Sequence, residues 1–167
     1  MNSVLYCMDK LADNSKLHQM DSFIQHGETS CLKHTIAVAY YSLKLAKFLR
    51  IKCKERELIR GALLHDYFLY DWHVGGWSKL HGFTHPKTAL KNAEVDFSLT
   101  DRERDIIKKH MFPLTLFPPK CREGWLVCMV DKGCSLYETF KKKNAYSKVK
   151  TKSKEKYEKL FEEIQII

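Results

Sequence analysis

Glycine is scarce in this chain, at seven of 167 residues, and proline is scarcer, at four. That excludes collagen-like and proline-rich low-complexity architectures. There is no run of about 18 apolar residues, so no membrane-spanning helix is legible and no membrane partner is expected. The N-terminus places Asp9, Lys10 and Asp13 where a secretory leader needs an unbroken apolar stretch. These absences argue against secretion and for a cytoplasmic protein. The cysteines form no framework: the last three, Cys121, Cys128 and Cys134, lack the two-residue gap of a zinc knuckle. In a cytoplasmic setting all six are expected to be free, partly buried thiols.

What is present suffices for a packed domain. Hydrophobic residues make up 44% of the chain and aromatics 12%, too much for a disordered protein. The net charge is +9, but it is uneven. Residues 141–167 hold nine Lys against four Glu, while the first 140 residues carry 20 basic and 16 acidic groups. The body is therefore only mildly basic, and the tail reads as a solvated Lys/Glu helix. Nucleic acid is disfavoured as a partner, because no recognisable binding motif accompanies the charge.

Helical periodicity runs through most of the chain. Residues 31–50 place Ile36, Ala39, Tyr40, Leu43, Ala46 and Phe48 near one stripe, and residues 55–71 repeat the pattern with Leu58, Ala62, Leu63 and Leu64. Gly61 and Ala62 are small enough to let another helix approach. The glycine-containing stretch 72–85 reads as a loop, with Pro86 opening the next helix, which runs to about Glu94. Thr100 with Glu103 forms a capping box for a helix ending near His110. Two more helices are expected, over roughly 123–142 and 151–165. No segment alternates as a strand does. The expectation is an all-α, compact, single-domain helical bundle. Residues 31–140 form its main domain, 1–30 an N-terminal helical extension, and 141–167 a Lys-rich C-terminal helix.

The chemistry concentrates in a few polar groups within these apolar helices. His65-Asp66 follows Ala62-Leu63-Leu64, and Asp131 follows the apolar run Trp125–Val130. A buried carboxylate is costly unless it is paired or bound to a cation. His34, His85 and His110 stand at other helices or helix ends. Singly, each is most simply a core or surface residue. Together they supply four imidazoles and two carboxylates from five helices. That is a nitrogen and oxygen donor set, suited to iron, manganese, cobalt, nickel or zinc.

These residues resemble the HD superfamily of metal-dependent phosphohydrolases. The similarity spans roughly residues 30–140, and its most specific pieces are Gly61–Asp66 and Val130-Asp131-Lys132. It implies a helical bundle of the HD-domain type. His34, His65, Asp66 and Asp131 would bind a first divalent ion, and Asp66 would bridge to a second ion held by His85 and His110. It also implies hydrolysis of a small phosphate ester by a metal-activated hydroxide, a nucleotide being one candidate substrate. Two departures stand out. Leu69 occupies the place where many members carry Lys, and Thr84-His85-Pro86 stands where the cyclic-di-GMP branch has its Gly-Tyr-Pro signature. The second speaks against a cyclic dinucleotide. The first leaves room for an alternative, a non-catalytic HD-fold module that senses a nucleotide.

Around this set, Asp66, Asp71 and Lys132 are the candidate catalytic groups, with Asp71 either orienting a ligand or simply ending a helix beside His73. Lys87, Trp77 and His81 are the candidate substrate contacts, and Arg60 is a further phosphate candidate. The aromatic loop 72–84 would serve as a wall or lid.

Overall fold

The computed structural model describes residues 2–13, 16–74 and 80–140. Ser30 starts the central helix, its side-chain oxygen accepting from the Lys33 amide at 3.3 Å. This helix, α2 (Cys31–Phe48), is buried through most of its length, with Ile36, Ala37, Val38 and Ala39 fully enclosed, whereas Phe48, expected on the apolar stripe, is exposed at its C-terminal end. A helix apolar on so many sides must sit inside a bundle. It packs chiefly against α3 (Glu55–Leu64) and α6 (Arg122–Phe140). The remaining helices are α1 (Asn2–Ala12), α4 (His81–Asp96) and α5 (Asp101–Lys109). The capping box is present as expected: the Glu103 amide donates to Thr100 Oγ1 at 3.2 Å, and the Thr100 amide to Glu103 Oε2 at 2.8 Å. All six cysteines are free thiols. Among the described residues no helix is long and apolar enough to cross a membrane.

The molecule is mostly helical, as expected, but four details differ from the sequence reading. First, residues 17–30 are not a helical extension. A short 3-10 helix (Leu17–Ser22) leads into an antiparallel hairpin of β1 (Ile24–His26) and β2 (Thr29–Ser30), strands too short to show alternation. Gly27 turns the hairpin at φ 58°, and a Cβ there would lie 2.8 Å from the Glu138 carbonyl oxygen, so the turn rests directly on the α6 backbone. Second, residue 30 is no packing boundary, because Val4, Met8 and Leu11 of α1 share one core with Leu58 and Ile59. Third, α3 stops at Leu64, before the His-Asp doublet. Asn92 Nδ2 donates to the carbonyls of Tyr67 and Phe68, at 3.1 and 2.9 Å, and so holds the turn that follows. Fourth, α4 begins at His81, not Pro86. Pro86 lies inside the helix, where its missing N–H forfeits one backbone bond. The tail helix expected over 151–165 lies outside the described residues.

The small residue at position 61 has the expected effect. A Cβ on Gly61 would stand 2.6 Å from Ile106 Cδ1 and 3.0 Å from Ile106 Cβ, so α5 packs on bare backbone. Gly61→Ala is expected to destabilise the fold by about 1–3 kcal/mol, the usual range for overpacking, seen as a lower urea midpoint. An unchanged midpoint would show that α5 slides freely.

Candidate metal centre

Five helices deliver the polar groups to one point. His34 comes from α2, His65 and Asp66 from the turn directly after α3, His85 from α4, His110 from the residue that caps α5, and Asp131 from α6. All six are buried. Asp66 is central, and its two oxygens face different partners. Oδ2 lies 3.7 Å from His34 Nε2 and 3.3 Å from His65 Nε2. Oδ1 lies 3.1 Å from His85 Nε2 and 3.6 Å from His110 Nε2. Asp131 Oδ1 closes the first side, 3.0 Å from His34 Nε2 and 3.6 Å from His65 Nε2.

Each imidazole is oriented through its other nitrogen. His65 Nδ1 lies 2.7 Å from the Ala62 carbonyl, His85 Nδ1 2.8 Å from that of His81, and His110 Nδ1 2.8 Å from that of Ile107. His34 Nδ1 lies 2.9 and 3.1 Å from the two oxygens of Glu138. A carbonyl only accepts, so in each neutral ring the proton sits on Nδ1 and the Nε2 lone pair points into the cluster. The consequence is clearest for His85 and His110, whose Nε2 atoms approach to 2.8 Å. In neutral rings two lone pairs converge there, an arrangement a cation would stabilise. His65 Nε2 and Asp66 Oδ1 are also buried without a hydrogen-bond partner. These orphaned atoms and the nitrogen and oxygen chemistry fit a metal ion, and two groups, His34–His65–Asp131 and His65–Asp66–His110, are close enough to hold one.

The charges answer one another. Burial opposes ionisation of Asp66 and Asp131, yet the surrounding imidazoles hold both carboxyls well below their ordinary range. Burial also opposes charging of His34 and His65. The carboxylates of Glu138 and Asp131 outweigh it at His34, raising that ring well above the usual value, and those of Asp66 and Asp131 raise His65 from 6.5 to about 9. Burial, reinforced by the rings of His65 and His85, takes His110 down to about 3. Because His65 titrates higher folded than unfolded, its contribution to stability is complete below pH 6.5 and is lost as pH rises through about 9. Chelator-treated protein should therefore lose melting temperature across that window. A flat profile would mean that the ring has no carboxylate partner.

A cavity of about 590 Å³ opens onto Asp66, His85, His110 and Asp131. Its apolar wall is Trp72, Met111, Pro113 and Leu114. His81 lines it, between the Trp72 indole at 4.9 Å and the His85 ring at 4.5 Å. Lys132 lines it as well, its ammonium donating to the His110 carbonyl at 2.9 Å and the Cys128 carbonyl at 3.2 Å. The other candidates are not brought there. Lys87 is exposed on α4 and lines a different groove. Asp71 is exposed in the loop beyond α3, where it accepts from the His73 amide at 2.9 Å; no helix ends there. Arg60 is held by Glu103 at 2.6 Å. Trp77 lies outside the described residues.

Two contributors were missed by the sequence reading. Gln25, on β1, donates from Nε2 to Asp66 Oδ2 at 2.6 Å, and nothing in a three-residue strand announces it. Glu138 stands seven residues after Asp131, on the same face of α6, and that spacing was a usable signal. A scan against family models and searches of curated proteins and of solved structures give no match to this chain.

Proposed function

We propose that this protein is a metal-dependent phosphohydrolase of the HD type, acting on a small phosphate ester. The observation that carries the reading is Asp66, with Oδ2 turned to His34 and His65 and Oδ1 to His85 and His110. On this reading His34, His65, Asp66 and Asp131 hold one divalent ion, and Asp66, His85 and His110 a second. Iron, manganese, cobalt, nickel and zinc all suit the donors. When bound, such ions polarise phosphoryl oxygens and make a water acidic enough to serve as nucleophile at neutral pH.

The chain supplies the rest. Trp72, Met111 and Leu114 give the cavity an apolar wall beside the cluster. Lys132 places a positive charge in the same wall, where charge develops on a phosphoryl group. His81, stacked against His85, presents a buried and unpartnered Nε2. The Nδ1 contacts hold the four ligand rings oriented.

Elemental analysis of untagged protein, purified without chelator, tests the reading. Two transition ions per chain are expected, falling to one in His85→Ala or His110→Ala. Hydrolysis of nitrophenyl phosphate mono- or diesters should be lost in His65→Ala. No ion after metal is offered back, or full hydrolysis by His65→Ala, would overturn it. Nucleotide binding without turnover would favour a sensing module.

A further inference from the structure

The outer surface of α4 and α5 carries a second cavity, larger than the first at about 780 Å³. Lys87 and Lys91, one turn apart on α4, line it together with Lys108 of α5 and Lys120 of the loop before α6. All four are exposed, and none forms an ion pair among the described residues. The acid in the lining, Glu94, is neutralised from outside by Arg104 at 2.9 Å. The groove therefore carries uncompensated positive charge. Its aromatic part is Phe83 and Phe117, 54% and 68% exposed, which leaves both rings open to a ligand.

The groove adjoins the metal cavity. Gly82 and Leu114 line the metal cavity, while their chain neighbours Phe83 and Thr115 line the groove. A linear polyanion lying along the lysines would run toward the metal cavity.

We propose that this groove binds a single-stranded oligonucleotide, its backbone on the lysines and its bases on Phe83 and Phe117, and so delivers a terminal phosphate ester to the metal cavity. The delivery step rests on the hydrolase reading above, whereas the binding step does not. In hydrolysis a water oxygen would form the new bond to phosphorus, the ester P–O bond would break, and a water proton would pass to the departing oxygen. Lysines beside open aromatic rings are the pairing used for single strands, because every unpaired base offers a face to stack and a duplex hides it. A concave groove also suits a strand better than the flat surface of a bilayer.

Fluorescence anisotropy with a short labelled single strand and the full-length chain, across a salt series, tests this. The triple variant Lys87→Ala/Lys91→Ala/Lys108→Ala should bind at least about tenfold more weakly. Its salt slope should be shallower by about 2, at roughly 0.7 per phosphate contact on a single strand. The triple Lys→Arg version should retain binding. Phe83→Ala/Phe117→Ala should cost at least about 30-fold toward the oligonucleotide, the low end for two lost base stacks, and leave inorganic polyphosphate binding unchanged. Three results would each overturn the proposal. One is groove variants that bind like the parent, which would assign the affinity elsewhere, such as the Lys-rich residues 141–167. Another is equal affinity for duplex, and the third is a preference for anionic phospholipid vesicles. Groove-dependent binding with no hydrolysis of any ester would leave the groove standing and remove the hydrolase reading. Hydrolysis of small esters without oligonucleotide binding would do the reverse.

Discussion

Asp66→Asn is expected to leave at most one divalent ion per chain in place of two, and to lower phosphatase activity by at least about 10³-fold, the upper end of what removing one electrostatic stabiliser costs. The amide has the shape of the carboxylate, so the turn after α3 and the contact to Gln25 should survive. An amide nitrogen has no lone pair to give, however, and its single oxygen cannot serve both sides of the cluster. His34 and His65 approach one oxygen of Asp66, and His85 and His110 the other. Elemental analysis and a nitrophenyl phosphate assay on one preparation read both effects. Two ions retained, with activity within tenfold of the parent, would mean that Asp66 is not shared.

The second large effect is expected at a residue that touches no ion. Glu138 receives the Nδ1–H of His34 on both its oxygens, at 2.9 and 3.1 Å, in a fully buried pocket. Glu138→Ala leaves that donor unsatisfied and frees the ring to rotate. Outer contacts of this kind are worth about 10–100-fold in metal affinity. The loss should fall on the ion nearest His34 and spare the one near His85 and His110, giving a biphasic curve in competition with a chromogenic chelator. Glu138→Gln keeps an acceptor and should recover most of the affinity. Equal weakening of both ions would point to a general loss of structure instead.

The convergence of the candidate ligands was legible because metal chemistry demands residue types. An aspartate beside a histidine in an apolar stretch, with three more imidazoles near helix ends, has few simpler explanations when they are counted together. The α5 cap and the close approach at Gly61 were legible for the same reason, since each rests on one or two named side chains. Boundaries were harder. The doublet looked interior to a helix because Ala62-Leu63-Leu64 continues the periodicity, while the contact that holds the turn after it comes from Asn92, a residue from α4. Pro86 looked like a first-turn residue because proline's preference there is strong, and local preference cannot see five residues upstream. The basic groove was hidden for another reason. Its lysines are spread over residues 87–120, on two helices and a loop, so no charge run marks it.

The carbonyl contacts of the ligand histidines bear on how such a centre drifts over generations. At His65, His85 and His110 the orienting partner is a main-chain oxygen, of Ala62, His81 and Ile107. Every amino acid carries that oxygen, so a substitution at 62, 81 or 107 leaves the acceptor itself in place as long as the helix persists, although Ala62 and Ile107 also pack the core and His81 also stacks on His85. At His34 alone among the ligand histidines the orienting partner is a side chain, Glu138. A substitution at those three positions thus keeps the acceptor that orients three of the four candidate ligand rings. The trace left in descendants of this chain would be a few ligand letters and one distant glutamate.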